Sequence, residues 1–437
     1  MERIVIKNPQ NIFRFGFKIS VICRIEGVAN IKKRQFLQEG IRLKTKGVRP
    51  KKILTLNGEI CFNRTVYVPA DKESAELLQK NHNMKTVVPM DIALGIDNLP
   101  FKISVEMMLD ITRRAINSHS YEELQNSYSR DWHINISDDQ IRKVTNYIGK
   151  IIFDDDSARK EKAIKEFQEK TNRSKHTANN NKKSAVLYIE MDGAMFNTRK
   201  SENDSTWREN KLGLVFSSKN VMSFKTKKDH EYHKILQREY VSFVGEANTF
   251  KEFLYEMALR NGLEEHEKII VISDGASWIK SFLSDYCQGL DAIQILDYTH
   301  MKENIYKFAH SAIRGSKASV KWATELKDLV KEGKIEEAIK KAEPYKDIKK
   351  PGIPNIYSYL INNKNCINYP EYVSKGYFIG SGAIESGNRS TMQERLKLPG
   401  MRWDITTAQY VLSAKMKYDS GLWDSYVVPL VYSKLGL

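Results

Sequence analysis

At 437 residues the chain has room for two or three domains and a sizeable core. Its 41% hydrophobic and 28% charged residues exclude a disordered chain, and no apolar run approaches the roughly 18 residues a membrane span needs. A formal charge of +16 points to a polyanionic partner, but lysine-rich surfaces are also simply solvated, so patterning has to decide.

Met1-Glu2-Arg3-Ile4-Val5-Ile6-Lys7 is too short and polar for a secretory signal. The four cysteines, Cys23, Cys61, Cys287 and Cys366, show no CxxC or Cys/His spacing. These features predict a cytoplasmic protein with reduced thiols and no zinc.

Residues 1–103 read as a mixed, β-rich module. Ile53-Leu54-Thr55-Leu56 and the run from Ile60 to Val68 flank Asn57-Gly58, a strong hairpin signal, and Pro69 closes the second strand. Residues 104–155 are helical: Val105, Met108, Leu109, Thr112 and Ile116 keep one face apolar. Capping boxes follow at Ser120–Glu123 and Ser137–Gln140. In the last helix Ile141, Val144, Thr145 and Ile148 point inward and leave Arg142, Lys143, Asn146 and Lys150 outward. Short helices ending in a basic, amide-bearing one fit a helix-turn-helix-like DNA-binding region, and they also fit a plain three-helix bundle. Residues 156–183 read as a charged helix fraying into a linker.

From 184 to 300 the predicted order is strand 185–192, strand 211–217, strand 240–244, helix 249–261, strand 268–273, a short helix from about 276, and strand 291–297. Strand-strand-strand-helix-strand-helix-strand is the order of a ribonuclease-H-like mixed sheet. Residues 301–375 then read as an all-helical insertion, and 376–437 as a C-terminal catalytic helix and tail.

Asp192 and Asp274 each end an apolar strand run, where open α/β sheets form their crevices. Glu385 lies in Gly380-Ser381-Gly382-Ala383-Ile384-Glu385-Ser386-Gly387-Asn388. Each acid alone is also what a strand-ending turn or a solvated helix position looks like. Meeting at one site, the three would form an all-oxygen ligand set suited to Mg²⁺ or Mn²⁺, with two ions acting in line on a phosphodiester. Asp192 would bridge both ions, with Asp274 and Glu385 holding one each. Glu190 shares the face of Asp192 but sits deeper, and is left out of the set. At the end of the fifth strand Asp297 or His300 could orient a ligand or bind DNA near the scissile phosphate, and a buried, hydrogen-bonded histidine fits as well. Arg389, Arg395, Lys397 and Arg402 suit phosphate contacts, and Trp403 suits either base stacking or the core.

Glu190-Met191-Asp192-Gly193, Ser273-Asp274-Gly275-Ala276-Ser277-Trp278, Leu296-Asp297-Tyr298-Thr299-His300, the Gly380–Asn388 block and the run from Gln393 to Trp403 carry a family resemblance. Over residues 184–425 the chain resembles the DDE transposases of bacterial insertion sequences, close to their Mutator-like branch with a helical insertion before the glutamate. The resemblance implies that Asp192, Asp274 and Glu385 are the catalytic, metal-binding triad. It also implies recognition of terminal inverted repeats, transfer into target DNA, and work as a homo-oligomer in a synaptic complex. The leading expectation is therefore a metal-dependent DNA transposase. The alternatives are a non-catalytic DNA-binding regulator derived from one, and a stand-alone nuclease on the same fold.

Overall fold

The computed structural model describes residues 29–172, 183–199, 206–225 and 231–437. The linker expected around Lys175–Lys182, and Cys23, lie outside the described residues. By internal contacts the chain divides into two units, Met1–Ile151 with Asp424–Leu437, and Ile152–Trp423.

In the first unit a helix at 29–38 (α1) precedes an antiparallel ribbon, β1 (Leu43–Thr55) and β2 (Gly58–Pro69). The ribbon turns where the sequence expects, at Asn57-Gly58, with Gly58 at φ +92°, a backbone setting that glycine adopts without strain. Both strands run longer than their apolar cores suggest, because backbone pairing continues through the charged stretch from Lys44 to Lys52. Helix α2 (Lys72–His82) starts on Asp71, whose side chain accepts from Ser74 N at 2.8 Å.

Short helix α3 (Pro89–Ala93) contributes the main buried charge of this unit. Asp91, 5% exposed, takes Lys51 Nζ at 2.9 Å and Arg64 Nε at 2.9 Å. Helices α4 (Val105–Ala115) and α5 (Tyr121–Trp132) follow, and α6 (Asp138–Asn172) begins in this unit and ends in the second. The Ser120 and Ser137 hydroxyls accept the amides of Glu123 and Gln140 at 3.0 and 3.2 Å, as their capping boxes predict. Ile141, Val144, Thr145 and Ile148 are fully buried on α6, together with Met107, Met108 and Ile111 on α4. The last residues return to this unit: α16 (Val428–Leu435) hydrogen-bonds α4 through Tyr432 Oη and Glu106 Oε1.

The second unit is built on a five-stranded sheet. Its strands are β3 (Lys183–Asn197), β4 (Trp207–Ser217), β7 (Glu239–Val244), β8 (His266–Ser273) and β9 (Ala292–Leu296). Their order across the sheet is β7-β4-β3-β8-β9, with β3/β4 and β4/β7 antiparallel and β3/β8 and β8/β9 parallel. A small hairpin that the sequence reading missed, β5 (Val221–Lys225) with β6 (Glu231–Ile235), interrupts the chain between β4 and β7.

From Ala185 to Met191 the central strand is covered on both faces. Leu187, Ile189 and Met191 of β3 pack on one side beneath α7 (Ala247–Arg260) and α8 (Ser277–Tyr286). Tyr188 packs on the other side, in a core completed by the helical segment α9 (Tyr298–Ala312), α10 (Ser316–Lys331), α11 (Ile335–Ala342), α12 (Ile356–Asn363) and α13 (Tyr369–Ser374). The chain then returns to the sheet through α14 (Gly382–Asn388), a π-helical stretch Arg389–Leu396, and α15 (Ile405–Asp419). Among the described residues no helix is long and apolar enough to cross a membrane.

Replacing Asp91 with Ala would leave Lys51 and Arg64 partly buried without a counter-charge. We expect a loss of about 3 kcal/mol in urea unfolding, as for other broken buried pairs; Lys52→Ala, which breaks an exposed pair, should leave the unfolding midpoint near that of the parent.

Candidate active site

Parallel register fixes the first two acids. The last registered pair of β3 with β8 is Glu190 with Ile272, and Asp192 and Asp274 each lie two residues further along. By strand alternation Asp192 projects to the same face as Tyr188 and Glu190, towards α9 and α14. Burial raises the Asp192 carboxyl, and the charge of Asp274 pushes it the same way; the Gly193 amide, His300 and Asn388 oppose that rise. Asp192 Oδ1 accepts the Gly193 N–H at 2.7 Å, and Asn388 Nδ2 donates to Oδ2. Asp274 Oδ1 accepts the amide of Ala276 at 2.9 Å, so this acid also serves the turn that leads into α8. Gly275 in that turn sits at φ +89° with Leu296 close above it.

His300, on the first turn of α9, supplies the compensating charge. Its Nδ1 lies 3.2 Å from Asp297 Oδ2, an ion pair not aligned as a hydrogen bond. Asp297 holds the imidazole pKa up to about 9 against the cost of burial, and Asp192 and Asp274 add to the rise. Burial alone would raise the Asp297 carboxyl. His300, Ser381 and the Thr299 amide outweigh it, and the group titrates below the ordinary aspartate range.

Two buried carboxylates fasten the start of α14. Asp297 Oδ1 caps α9 by accepting Thr299 N at 2.6 Å, while Oδ2 accepts both the hydroxyl and the amide of Ser381. Glu190, 1% exposed, accepts the Ile384 amide at 2.8 Å. Burial pushes its carboxyl up to about 8, with the Ile384 hydrogen bond opposing. Tyr298 N also donates to Ile379 O at 2.9 Å. Four hydrogen bonds thus converge on the six residues from Ile379 to Ile384. At its other end α14 presses Gly387 against the sheet, where an added Cβ would stand 2.7 Å from Tyr240 Cε1.

The third predicted acid is placed differently. Glu385 is exposed, one helical turn before Asn388. Among the described residues no three His, Cys, Asp or Glu side chains are grouped closely enough to hold a metal ion. Asp192 and Asp274 are therefore brought together, with Asn388 and His300, and Glu385 stands outside that group on a helix anchored to it. The sequence reading gave Asn388 no role; its signal was the i,i+3 spacing from Glu385, which puts both on one helix face. Glu190 was set aside for its depth in the sheet, which is what lets it reach the backbone of α14.

The basic residues after Glu385 separate into two groups. Arg389, Lys397 and Arg402 are exposed. Arg395 and Trp403 are 3% and 8% exposed, and the guanidinium lies 4.8 Å over the indole ring, whose Nε1 donates to Leu396 O at 3.2 Å. Arg395, expected at phosphate, is turned inward, and of the two roles open to Trp403 the structure favours the core: both close the π-helical stretch onto the chain that follows. On α6, Arg142 and Lys143 are exposed but share Asp139, at 2.5 and 2.7 Å, and Asn146 is half-buried.

The model of an uncharacterised protein family, UPF0236, matches residues 17–422. The chain belongs to this family. No curated protein matches it significantly. The match runs through Asp192, Asp274, the Gly380–Asn388 block and the ribbon β1–β2, and stops before α16.

The donor set suits a hard cation. Asp192 and Asp274 offer carboxylate oxygens on one face, and Asn388 Oδ1 is buried with no hydrogen-bond partner. All three are oxygens, the donor type Mg²⁺ and Mn²⁺ prefer, and no thiol is involved.

Two substitutions test the anchoring of α14. Glu190→Gln keeps an acceptor for Ile384 N–H and removes a carboxyl that burial already disfavours as an anion, so its stability should stay near that of the parent. Glu190→Ala leaves the amide unpaired and should cost about 1–3 kcal/mol in urea unfolding. Gly387→Ala should cost a similar amount, about 1–3 kcal/mol, by driving a methyl group into Tyr240.

Proposed function

We propose that this chain is a DNA transposase of an insertion sequence, with Asp192, Asp274 and Glu385 as its catalytic acids. One observation carries the reading: the sheet order β7-β4-β3-β8-β9, three antiparallel strands followed by two parallel ones, with Asp192 and Asp274 each two residues past the last parallel pair of β3 and β8. That strand order supports a ribonuclease-H-like reading, and Glu385 follows on the helix fastened beside those strands.

On this reading Asp192 and Asp274 hold Mg²⁺ or Mn²⁺, and Glu385 completes the ligand set for a second ion. Bound ions of this kind supply an activated attacking oxygen, from water or a DNA 3′-hydroxyl, and a stabilised leaving oxygen. The chain's own groups do the positioning. Asn388 orients Asp192 through its amide N–H, and Asp297 orients His300, whose positive charge balances the two aspartates. Arg389, Lys397 and Arg402 are exposed and available to phosphates. Helices α4 to α6 are proposed as a helix-turn-helix-like element that reads terminal inverted repeats, and the active assembly as a homo-oligomer holding two DNA ends.

The test uses purified protein and labelled duplex carrying the DNA that flanks its gene, in Mg²⁺, Mn²⁺ or EDTA. Strand cleavage at the repeat boundary should require the metal. Glu385→Gln, Asp192→Asn and Asp274→Asn should each lower it at least ~100-fold, while DNA binding in EDTA stays intact. Specific binding with no cleavage in either metal would replace this reading with that of a DNA-binding regulator.

A further inference from the structure

The strongest unassigned feature of the first unit is the charge on the β1–β2 ribbon. Between Arg42 and Lys52 the chain carries Arg42, Lys44, Lys46, Arg49, Lys51 and Lys52 and no acid. Three of these are matched: Arg42 with Asp71 at 3.1 Å, Lys52 with Glu59 at 2.8 Å, and Lys51 with Asp91. Lys44, Lys46 and Arg49 are exposed, and among the described residues they have no ion-pair partner.

The register adds a cost that the fold leaves uncompensated. Arg49 stands directly opposite Arg64, a like-charge pair across the ladder, and strand alternation puts Lys51 on the same face. Of these three cations, Lys51 and Arg64 share the single carboxylate of Asp91, and Arg49 is left without a partner among the described residues. A bulge between Thr45 and Gly47 leaves Lys46 out of the pairing, with open space around Gly47 and Val48 64% exposed beside it. Helix α6 is balanced by comparison: Asp138 and Asp139 face Arg142 and Lys143, and both cations bind Asp139.

We propose that the β1–β2 ribbon is a duplex-DNA contact of this protein, with Lys44, Lys46 and Arg49 on phosphates. The inference rests on the DNA-acting reading above and adds a surface to it. A two-stranded ribbon is narrow enough to enter the major groove, and an anionic backbone supplies the counter-charge that the Arg49–Arg64 pair lacks.

The experiment follows fluorescence anisotropy of the full chain with a labelled, arbitrary-sequence duplex of about 30 base pairs in EDTA over a range of KCl. The variant K44Q/K46Q/R49Q should bind at least ~10-fold more weakly, and its log–log salt slope should be shallower by about 2–3, near 0.9 per lost phosphate contact. The control K307Q/K375Q, which removes two exposed cations already paired with Glu303 and Glu371, should bind within about threefold of the parent. Far-UV circular dichroism and melting of all variants, with R49Q as the mildest, separate lost contacts from lost folding. Unchanged affinity and slope in the ribbon variants, beside a parent that binds, overturns the ribbon proposal and leaves the transposase reading standing. So does ribbon-dependent binding to phosphatidylserine vesicles that exceeds binding to the duplex. Ribbon-dependent binding without metal-dependent cleavage sinks the transposase reading alone, and a parent that binds no duplex sinks both.

Discussion

Parallel pairing of β3 with β8 imposes the constraint to which the rest of the second unit responds. The parallel pairing stops at Glu190 and Ile272, and two residues further on each chain carries an aspartate, Asp192 within β3 and Asp274 just past the end of β8. Two carboxylates at such a place repel, and burial of Asp192 enlarges the effect. The fold answers with the imidazole of His300, whose pKa is raised, an amide donor at Asn388 and the backbone amides of Gly193 and Ala276. These groups come from α9, α14, β3 and the turn into α8, so the aspartate pair draws on separate parts of the chain.

Placing α14 required spending polar groups inside the core. Glu190 and Asp297 are almost wholly buried, and each uses its oxygens on backbone or hydroxyl donors of the Gly380–Ile384 segment. A buried carboxyl without such donors would be costly, so these acids and that segment stabilise one another. Gly387 does the complementary job by omission: the absence of a side chain lets α14 lie on Tyr240 and Leu212. A glycine-flanked, serine-bearing segment is therefore what this contact needs, apart from any chemistry at Glu385.

Much of this was legible in the sequence for identifiable reasons. Strands β3, β4, β7, β8 and β9 are apolar runs bounded by glycine, aspartate or charged turns, and they fall within a few residues of expectation. The hairpin at Asn57-Gly58 and the caps at Ser120 and Ser137 rest on local chemistry that tertiary context did not override. Long-range compensation was not legible. The charged run from 156 reads as helix, and α6 does continue to Asn172, but nothing local announces that Asp156 is paired with Lys417. Hairpin β5–β6 escaped notice because polar and charged residues interrupt its alternation, although Phe224 and Tyr232 stack across it. Arg395 looked like a surface group because only the folded chain brings its guanidinium over the Trp403 indole.

The distribution of charge says more than its total. A net +16 spread evenly over ion-paired surfaces would mean little, and on α6 and α10 to α13 many cations do have an acid close by. Among the described residues two stretches stand out. One is the ribbon, where six cations in eleven positions meet carboxylates at only three of them. The other is the stretch after Glu385, where Arg389, Lys397 and Arg402 stay exposed while Arg395 turns inward. Unmatched cations lower stability by mutual repulsion and gain nothing from the fold that carries them. Placed on a strand ribbon and on the flank of the acid-bearing helix, they fit the proposal that a polyanion, rather than the protein itself, supplies the missing charge.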